Sequence, residues 1–440
     1  MDRAVPPVLL LLAFSAVLGG GGAPAPLVEL VLQLIAAILV PIWALLMARR
    51  ERQLSKPALL ILASFLLVPA LQLVPLPPDI WHHLPGRGSE IEALGLIGEQ
   101  GQWRPLSMAP DRTLAAMIAS IPPLCLMVMV ASLRRRERAL IVGAIAALGI
   151  ITLFVGLLQV RGELLHFYEN SSSVLLGFQA NRNTTADVLL VSLVCGATAL
   201  RLWNEGRSKP LSGALLFAAT AMFALLIATG ILMTGSRSGV SLLLVAVPAS
   251  LLIVWAPVRG GLRTPVMIGA VAIAVLIGGG FSLQRSTNGT VKEVMSRFSE
   301  AESRRPELWR DTSFAIRESF PYGTGVGTFV PIMLAAERLE YVNEKVPNRA
   351  HNEYLEFTLE AGIFGVFVLS ALALYAVALA VGEWRRHPPF SRAQISCAVA
   401  ALTIVALHSI VDYPFRSMSM ASLIAAMVAL LLPAPERKSE

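Results

Sequence analysis

Twelve stretches of about 20 mostly apolar residues recur along the 440-residue chain, more than any soluble core could bury. They cover roughly 7–20, 27–47, 57–75, 113–132, 139–159, 185–203, 211–234, 238–256, 266–283, 361–381, 393–411 and 416–433. In hydrocarbon a backbone must close its hydrogen bonds within itself, so each run is expected to be a membrane-crossing helix. The composition, 55% hydrophobic and 15% charged, excludes a soluble globular domain and a disordered chain. Cys125, Cys195 and Cys397 all lie inside apolar runs and read as small core residues, not as disulfides or metal ligands. The expected fold is an all-α polytopic membrane protein. Residues 1–283 carry nine helices, 284–360 form a large outer loop with short helices, and 361–440 carry three more helices and a tail.

A net charge of +7 would point to nucleic acid in a soluble chain, but here the placement of the charges matters more than their sum. Basic clusters recur at every second connection, around Arg49, Arg134, Arg201, Arg259 and Arg385. With the two ends they put 19 of the 36 Lys and Arg residues on one side. By the positive-inside rule that side and both termini are cytoplasmic, and the loops at 76–112, 160–184 and 284–360 face outward. An alternative holds at the start: Arg3, the apolar run 8–18 and Ala23-Pro24-Ala25 also fit a signal peptide. Its removal would leave eleven helices and the same sidedness. The outer loop 284–360 is too long to lack structure. Segments 291–301, 306–319 and 328–343 have helical composition, interrupted by Pro321, the Gly323, Gly325 and Gly327 cluster, and Pro347.

In such a chain the informative residues are polar ones where apolar ones cost less, and they collect at outer helix ends. Arg237 lies in the short turn Gly235-Ser236-Arg237-Ser238-Gly239. It is either a snorkelling anchor or part of an anion site, its fork suited to phosphate oxygens. Arg305 precedes Pro306 at the start of a segment whose Leu308, Trp309, Thr312 and Ile316 form one stripe. That segment is either an interfacial helix or an anion-facing helix start. His351, with Asn352, Glu353, Glu356 and Glu360 behind it, is a candidate proton carrier, and the carboxylates either orient the imidazole or form a solvated face. His408 and Asp412, four residues apart and followed by Arg416, are a helix-end polar network or a partner for the loop. Arg182, between Asn181 and Asn183, sits at a helix entry that a hydroxyl would cap, and it could also touch substrate. No Asp-x-Asp, His-x-x-x-His or outward Cys pair occurs, so metal-dependent transfer from a nucleotide sugar has no support and no cofactor is expected. The Gly323-x-Gly325-x-Gly327 spacing has no preceding strand and is not a dinucleotide fingerprint.

Five elements in order resemble the bacterial O-antigen ligase and polysaccharide polymerase family: Ser236-Arg237-Ser238-Gly239, Arg305-x-x-x-Trp309, Pro321-x-Gly323-x-Gly325-x-Gly327, His351-Asn352-x-x-Leu355 leading into Glu360-Ala361-Gly362, and His408-Ser409-x-x-Asp412. The resemblance runs from about 180 to 415, and the first 110 residues match only in hydropathy. It implies a GT-C-like membrane glycosyltransferase of the bacterial inner membrane with its site at the periplasmic face. The implied donor is an undecaprenyl-pyrophosphate-linked glycan and the acceptor a hydroxyl, of lipid A core in ligases and of a growing polysaccharide in polymerases. It also implies His351 as the catalytic base and Arg237 and Arg305 as pyrophosphate ligands, with Arg182 a weaker correspondence. The rival class is a transporter of lipid-linked glycan. Transporters place broken helices near the midplane, and here only Pro122 and Pro123 do so.

Overall fold

The computed structural model describes residues 3–21, 26–49, 54–162, 167–168, 174–255, 305–342, 346–386 and 389–435. Sixteen helices are described: α1 Val5–Leu18, α2 Pro26–Ala48, α3 Lys56–Gln72, α4 Pro78–Trp81, α5 Gly88–Leu96, α6 Pro110–Ala119, α7 Ile121–Ala131, α8 Arg135–Val160, α9 Arg182–Glu205, α10 Gly213–Thr234, α11 Arg237–Trp255, α12 Arg305–Ser319, α13 Phe329–Ala336, α14 Glu353–Arg386, α15 Pro389–His408 and α16 Met418–Leu431. Among the described residues seven helices are long and apolar enough to cross a membrane, counting α6 and α7 as one, and four shorter apolar helices accompany them. Eleven of the expected apolar runs thus fall on helices. The run 266–283 and the expected helix 291–301 lie outside the described residues.

Two details go beyond the sequence reading. Pro75–Leu76 (β1) and Arg104–Pro105 (β2) pair antiparallel, with Pro75 opposite Pro105, in a segment read only as loop. The expected segment 328–343 divides into α13 and a 3-10 turn at Leu339–Tyr341. The expected break in the fourth apolar run occurs at Ser120, where Pro122 and Pro123 open α7. Proline lacks an N–H, and in a helix's first turn that loss is harmless.

The core is built around α9, buried along most of its length and packed against α8, α10, α11 and α15. Small residues let these helices approach closely. A side chain at Gly196 would strike the ring of Phe223, and Ser192 Oγ, which donates to the Ile145 carbonyl at 2.9 Å, lies against Gly149. At one end of the bundle, buried Arg138 donates to the carbonyls of Leu133 at 3.0 Å and Leu432 at 2.7 Å, which close helix ends. Arg135 joins it there, bonded to the Leu430 carbonyl at 2.8 Å and to Glu383 at 2.6 Å. Two members of the basic cluster at 134–138 therefore cap helix ends.

The opposite end is fixed by an interlock. Helix α14 breaks at Gly362, whose φ of 60° is left-handed, and the carbonyls of Leu359 and Glu360 lose their helical donors there. The run after α12 supplies replacements. Thr324 N–H donates to Leu359 and Gly325 N–H to Glu360, both at 2.9 Å, while Ile363 N–H donates back to Pro321 at 2.9 Å. Gln72, at the end of α3, clamps the joint by donating to the Glu360 carbonyl at 2.9 Å and accepting from Val326 N–H at 2.9 Å. The glycine cluster is thus a tie between the segment after α12 and the long apolar helix α14.

Candidate active site

His351 stands on a strained backbone, with φ of 50°, immediately before α14. Both neighbours are held. Ala350 N–H donates to Glu356 at 2.8 Å and its carbonyl accepts from the Trp309 indole at 3.0 Å. Asn352 caps α14, its side-chain oxygen accepting from Leu355 N–H at 3.0 Å, and Glu353 N–H donates to the Ser409 carbonyl at 2.9 Å. The stripe on α12 that could have faced lipid is packed on protein instead. Leu308 and Ile316 lie against the cluster of Ala315, Phe329, Met333, Ala350 and Leu359.

The imidazole of His351 bonds through Nδ1 to Asp412 Oδ1 at 3.2 Å, and its ring meets Tyr413 edge-on at 4.9 Å. Nε2 makes no hydrogen bond among the described residues. Behind Asp412 lies His408, 3.9 Å from Oδ2, with Nδ1 on Asp187 Oδ1 at 2.6 Å and Nε2 on Ser238 Oγ at 2.7 Å. The chain continues sideways. Ser236 Oγ is 3.3 Å from Ser238 Oγ and donates to Asn183 Oδ1 at 2.8 Å. Asn183 N–H donates to Asn181 Oδ1 at 2.8 Å, and Asn181 donates to the Tyr413 hydroxyl at 3.0 Å. The ring closes where Tyr413 packs on His351, and it joins α9, α11, α14 and the turn after α15.

Two of the three arginines singled out in the sequence lie on this ring's elements, and the third opens the neighbouring helix α12. Arg182 and Arg237 are the first residues of α9 and α11, and Arg305 opens α12. Arg237 is exposed and adjoins Ser238, while Arg182 is half-buried between the two asparagines. The charge of Arg305 acts on both His408 and Asp412. Burial pushes the Asp412 carboxyl up, but the hydrogen bond from His351 and the charges of His408, His351 and Arg305 outweigh it and hold the group below its ordinary 3.8. Burial and the Asp412 charge push Tyr413 up to about 12 against the Asn181 hydrogen bond, so its hydroxyl stays protonated at neutral pH. A partly exposed imidazole oriented by a carboxylate on which the Arg305 charge acts can accept a proton next to a bound anion.

Two expectations are corrected. Glu353, Glu356 and Glu360 neither touch the imidazole nor face solvent; they are buried around Arg416, which reaches Glu353 at 2.8 Å, Glu360 at 2.9 Å and Glu356 at 3.4 Å. Arg349 adds a second cation, 3.1 Å from Glu356. Burial would lower the Arg416 pKa, yet the three carboxylates raise it well above its ordinary value. Asp412 is what orients His351. The cap of α9 is the amide of Asn181, while the hydroxyl of Thr185 donates to the Leu176 carbonyl at 2.9 Å. Asp187 and Trp309 are members whose site contacts the sequence did not reveal. For Asp187 a signal existed, since an acid inside an apolar run needs a partner.

A search of curated proteins found no match. A family model described as O-antigen ligase matches residues 221–370, about a third of the chain and the stretch that holds Arg237, Arg305 and His351. The apolar helices are those of a multi-pass membrane protein, and its stretch 221–370 is similar to the O-antigen ligase family.

Proposed function

We propose that this protein is a glycosyltransferase of the bacterial inner membrane that moves a glycan from undecaprenyl pyrophosphate to a hydroxyl of lipid A core at the periplasmic face. The family supports lipid-linked glycan and polysaccharide substrates. The observation that carries the reaction type is the His351–Asp412 pair, 3.2 Å apart, with Nε2 open to the site and Arg182, Arg237 and Arg305 on the surrounding helix ends.

In the reaction so inferred, the acceptor O–H gives its proton to His351 Nε2 as its oxygen attacks the anomeric carbon. The bond from that carbon to the pyrophosphate oxygen breaks, and undecaprenyl pyrophosphate leaves with the electron pair. A single displacement inverts the anomeric configuration. Asp412 keeps the Nδ1–H tautomer and stabilises the imidazolium, as a carboxylate does behind a histidine base. The arginines hold the diphosphate and spread its developing charge. These residues suffice for the step, because the leaving group is already stable as an anion.

The test is transfer by purified protein from an undecaprenyl-pyrophosphate-linked glycan. His351→Ala should lose about 10²–10⁴-fold in rate while keeping donor affinity. Transfer at the parental rate would remove His351 from the role, and movement of donor across vesicles without transfer would make the protein a transporter. The glycan profile of a deletion strain identifies the acceptor: loss of all polymer on lipid A core supports ligation, and attachment of single repeats supports the polymerase alternative.

A further inference from the structure

Asp187 and His408 are buried and touch no surface from which a substrate could be met, yet they form the tightest hydrogen-bonded pair near His351, at 2.6 Å. Besides the 3.9 Å ion pair with Asp412, their hydrogen-bonded outlet toward the site among the described residues is Ser238, half-buried on the first turn of α11, whose Oγ lies 2.7 Å from His408 Nε2. Given the glycosyl-transfer reading above, we propose that Ser238 is a hydrogen-bond donor to the diphosphate of the lipid-linked substrate, set in that role by the Asp187–His408 pair. Ser238 touches the substrate; Asp187 and His408 are positioning residues that act through it.

The same three side chains have opposite chemistry in the two charge states of His408. With a neutral imidazole, Nδ1–H is used on Asp187 and the Nε2 lone pair takes the serine proton. Ser238 is then primed as a nucleophile and turns lone pairs toward the site, where an anion is repelled. With an imidazolium, Nε2–H donates to Ser238 Oγ and the serine hydrogen has to point elsewhere. The nearest hydroxyl, Ser236 at 3.3 Å, already donates to Asn183 at 2.8 Å, and its oxygen accepts from Gly239 N–H at 3.1 Å. Among the described residues the Ser238 hydrogen has only the long 3.3 Å bond to the second lone pair of Ser236 Oγ, which an anionic oxygen brought in beside exposed Arg237 would outcompete.

The surrounding charges select between these states. Asp187 bonds Nδ1, and Asp412 Oδ2 stands 3.9 Å from Nε2. Arg305 is the opposing charge, His351 lies on the far side of Asp412, and Arg237 adjoins Ser238. Two carboxylates close to one imidazole favour the imidazolium. With His408 charged, Asp187 and Asp412 are balanced by His408 and Arg305, and the proton taken up by His351 during transfer then adds positive charge where the diphosphate charge develops.

The experiment compares the parent with Ser238→Ala and Ser238→Thr in two readouts, binding of undecaprenyl pyrophosphate and steady-state transfer. Ser238→Ala should weaken binding and raise donor KM about 10- to 100-fold, as loss of a hydrogen bond to a charged group does, with kcat changed only a few-fold. Ser238→Thr, which keeps the hydroxyl, should restore both. Adding Ser238→Ala to His408→Asn should cost little more than His408→Asn alone, because the two act through one hydroxyl. Binding and donor KM within twofold of the parent in Ser238→Ala would overturn the proposal. So would loss of kcat at unchanged KM together with a product of retained configuration, which would make Ser238 a nucleophile. A parent that binds undecaprenyl pyrophosphate through Ser238 but transfers no glycan would sink the transferase reading and leave this inference standing.

Discussion

Arg416→Gln tests whether the buried charge cluster holds the site together. Arg416 is the sole ion-pair partner of Glu353, at 2.8 Å, and of Glu360, at 2.9 Å, among the described residues, while Glu356 keeps Arg349 at 3.1 Å. The cluster carries three carboxylates and two guanidinium groups, so removing Arg416 strands two buried acids at once. Removing one partner of a buried pair costs about 3–5 kcal/mol, chiefly because the other charge is left uncompensated. Two such losses in one network do not add fully, and a penalty of at least about 4 kcal/mol is expected. Reversible unfolding of the protein in mixed detergent micelles by sodium dodecyl sulfate measures it. The variant Arg416→Gln, Glu353→Gln, Glu360→Gln removes the stranded charges together with the arginine and should recover most of the loss. It should also still transfer glycan, because Glu356 keeps its bond to Ala350 N–H and Asp412 its bond to His351. The reasoning fails if Arg416→Gln unfolds within about 1 kcal/mol of the parent, or if the triple variant is no more stable than the single one.

Asp412→Asn should be destabilised relative to the parent by an equal amount at pH 5 and pH 7. The carboxyl is held below 3.8, so its contribution is present above that value and fades only as pH falls through the lower folded value; a gap already closed at pH 5 in the same unfolding assay would contradict this. Gly323→Ala should cost more than about 1–3 kcal/mol in that assay, since φ is 77° and the added carbon would lie 2.5 Å from Gly362 N and 2.8 Å from the Glu360 carbonyl oxygen; parental stability would dismiss the interlock. Arg237→Lys keeps the charge and loses the fork, so donor KM should rise about tenfold, and an unchanged KM would argue against bidentate binding.

The membrane helices were legible because apolar runs of that length have few other uses, and the site residues were legible because charge at a helix end is costly without a task. What stayed hidden was pairing. The spacing of Glu353, Glu356 and Glu360 puts them on one helix face, but only the fold brings Arg416, some sixty residues on, into their midst. Trp309 looked like a membrane-surface anchor because nothing local announces that its indole will bond the Ala350 carbonyl. Gly323 and its neighbours read as helix breakers, which is half of the matter. The other half, a break in α14 at Gly362 that needs new donors, lies in a distant element.

The same pattern explains why the site exceeds the family-matched stretch. Residues 221–370 contain Arg237, Ser238, Arg305 and His351, yet three of the polar devices in that stretch are completed from outside it. His351 is oriented by Asp412, Ser238 meets His408 held by Asp187, and Glu353 and Glu360 are neutralised by Arg416. All four outside partners sit at ends of α9, α15 and the turn before α16, which pack around α11 and α14 through apolar faces. In a bundle whose backbone is satisfied internally, helix ends are where polar groups from different helices meet without stranding each other in hydrocarbon. A histidine on a strained backbone is tolerable there because Asp412 holds its ring while Glu356 and Trp309 hold the residue before it. The central stretch therefore supplies the residues assigned to the reaction in the proposed function, while the flanking helices supply the partners that hold them.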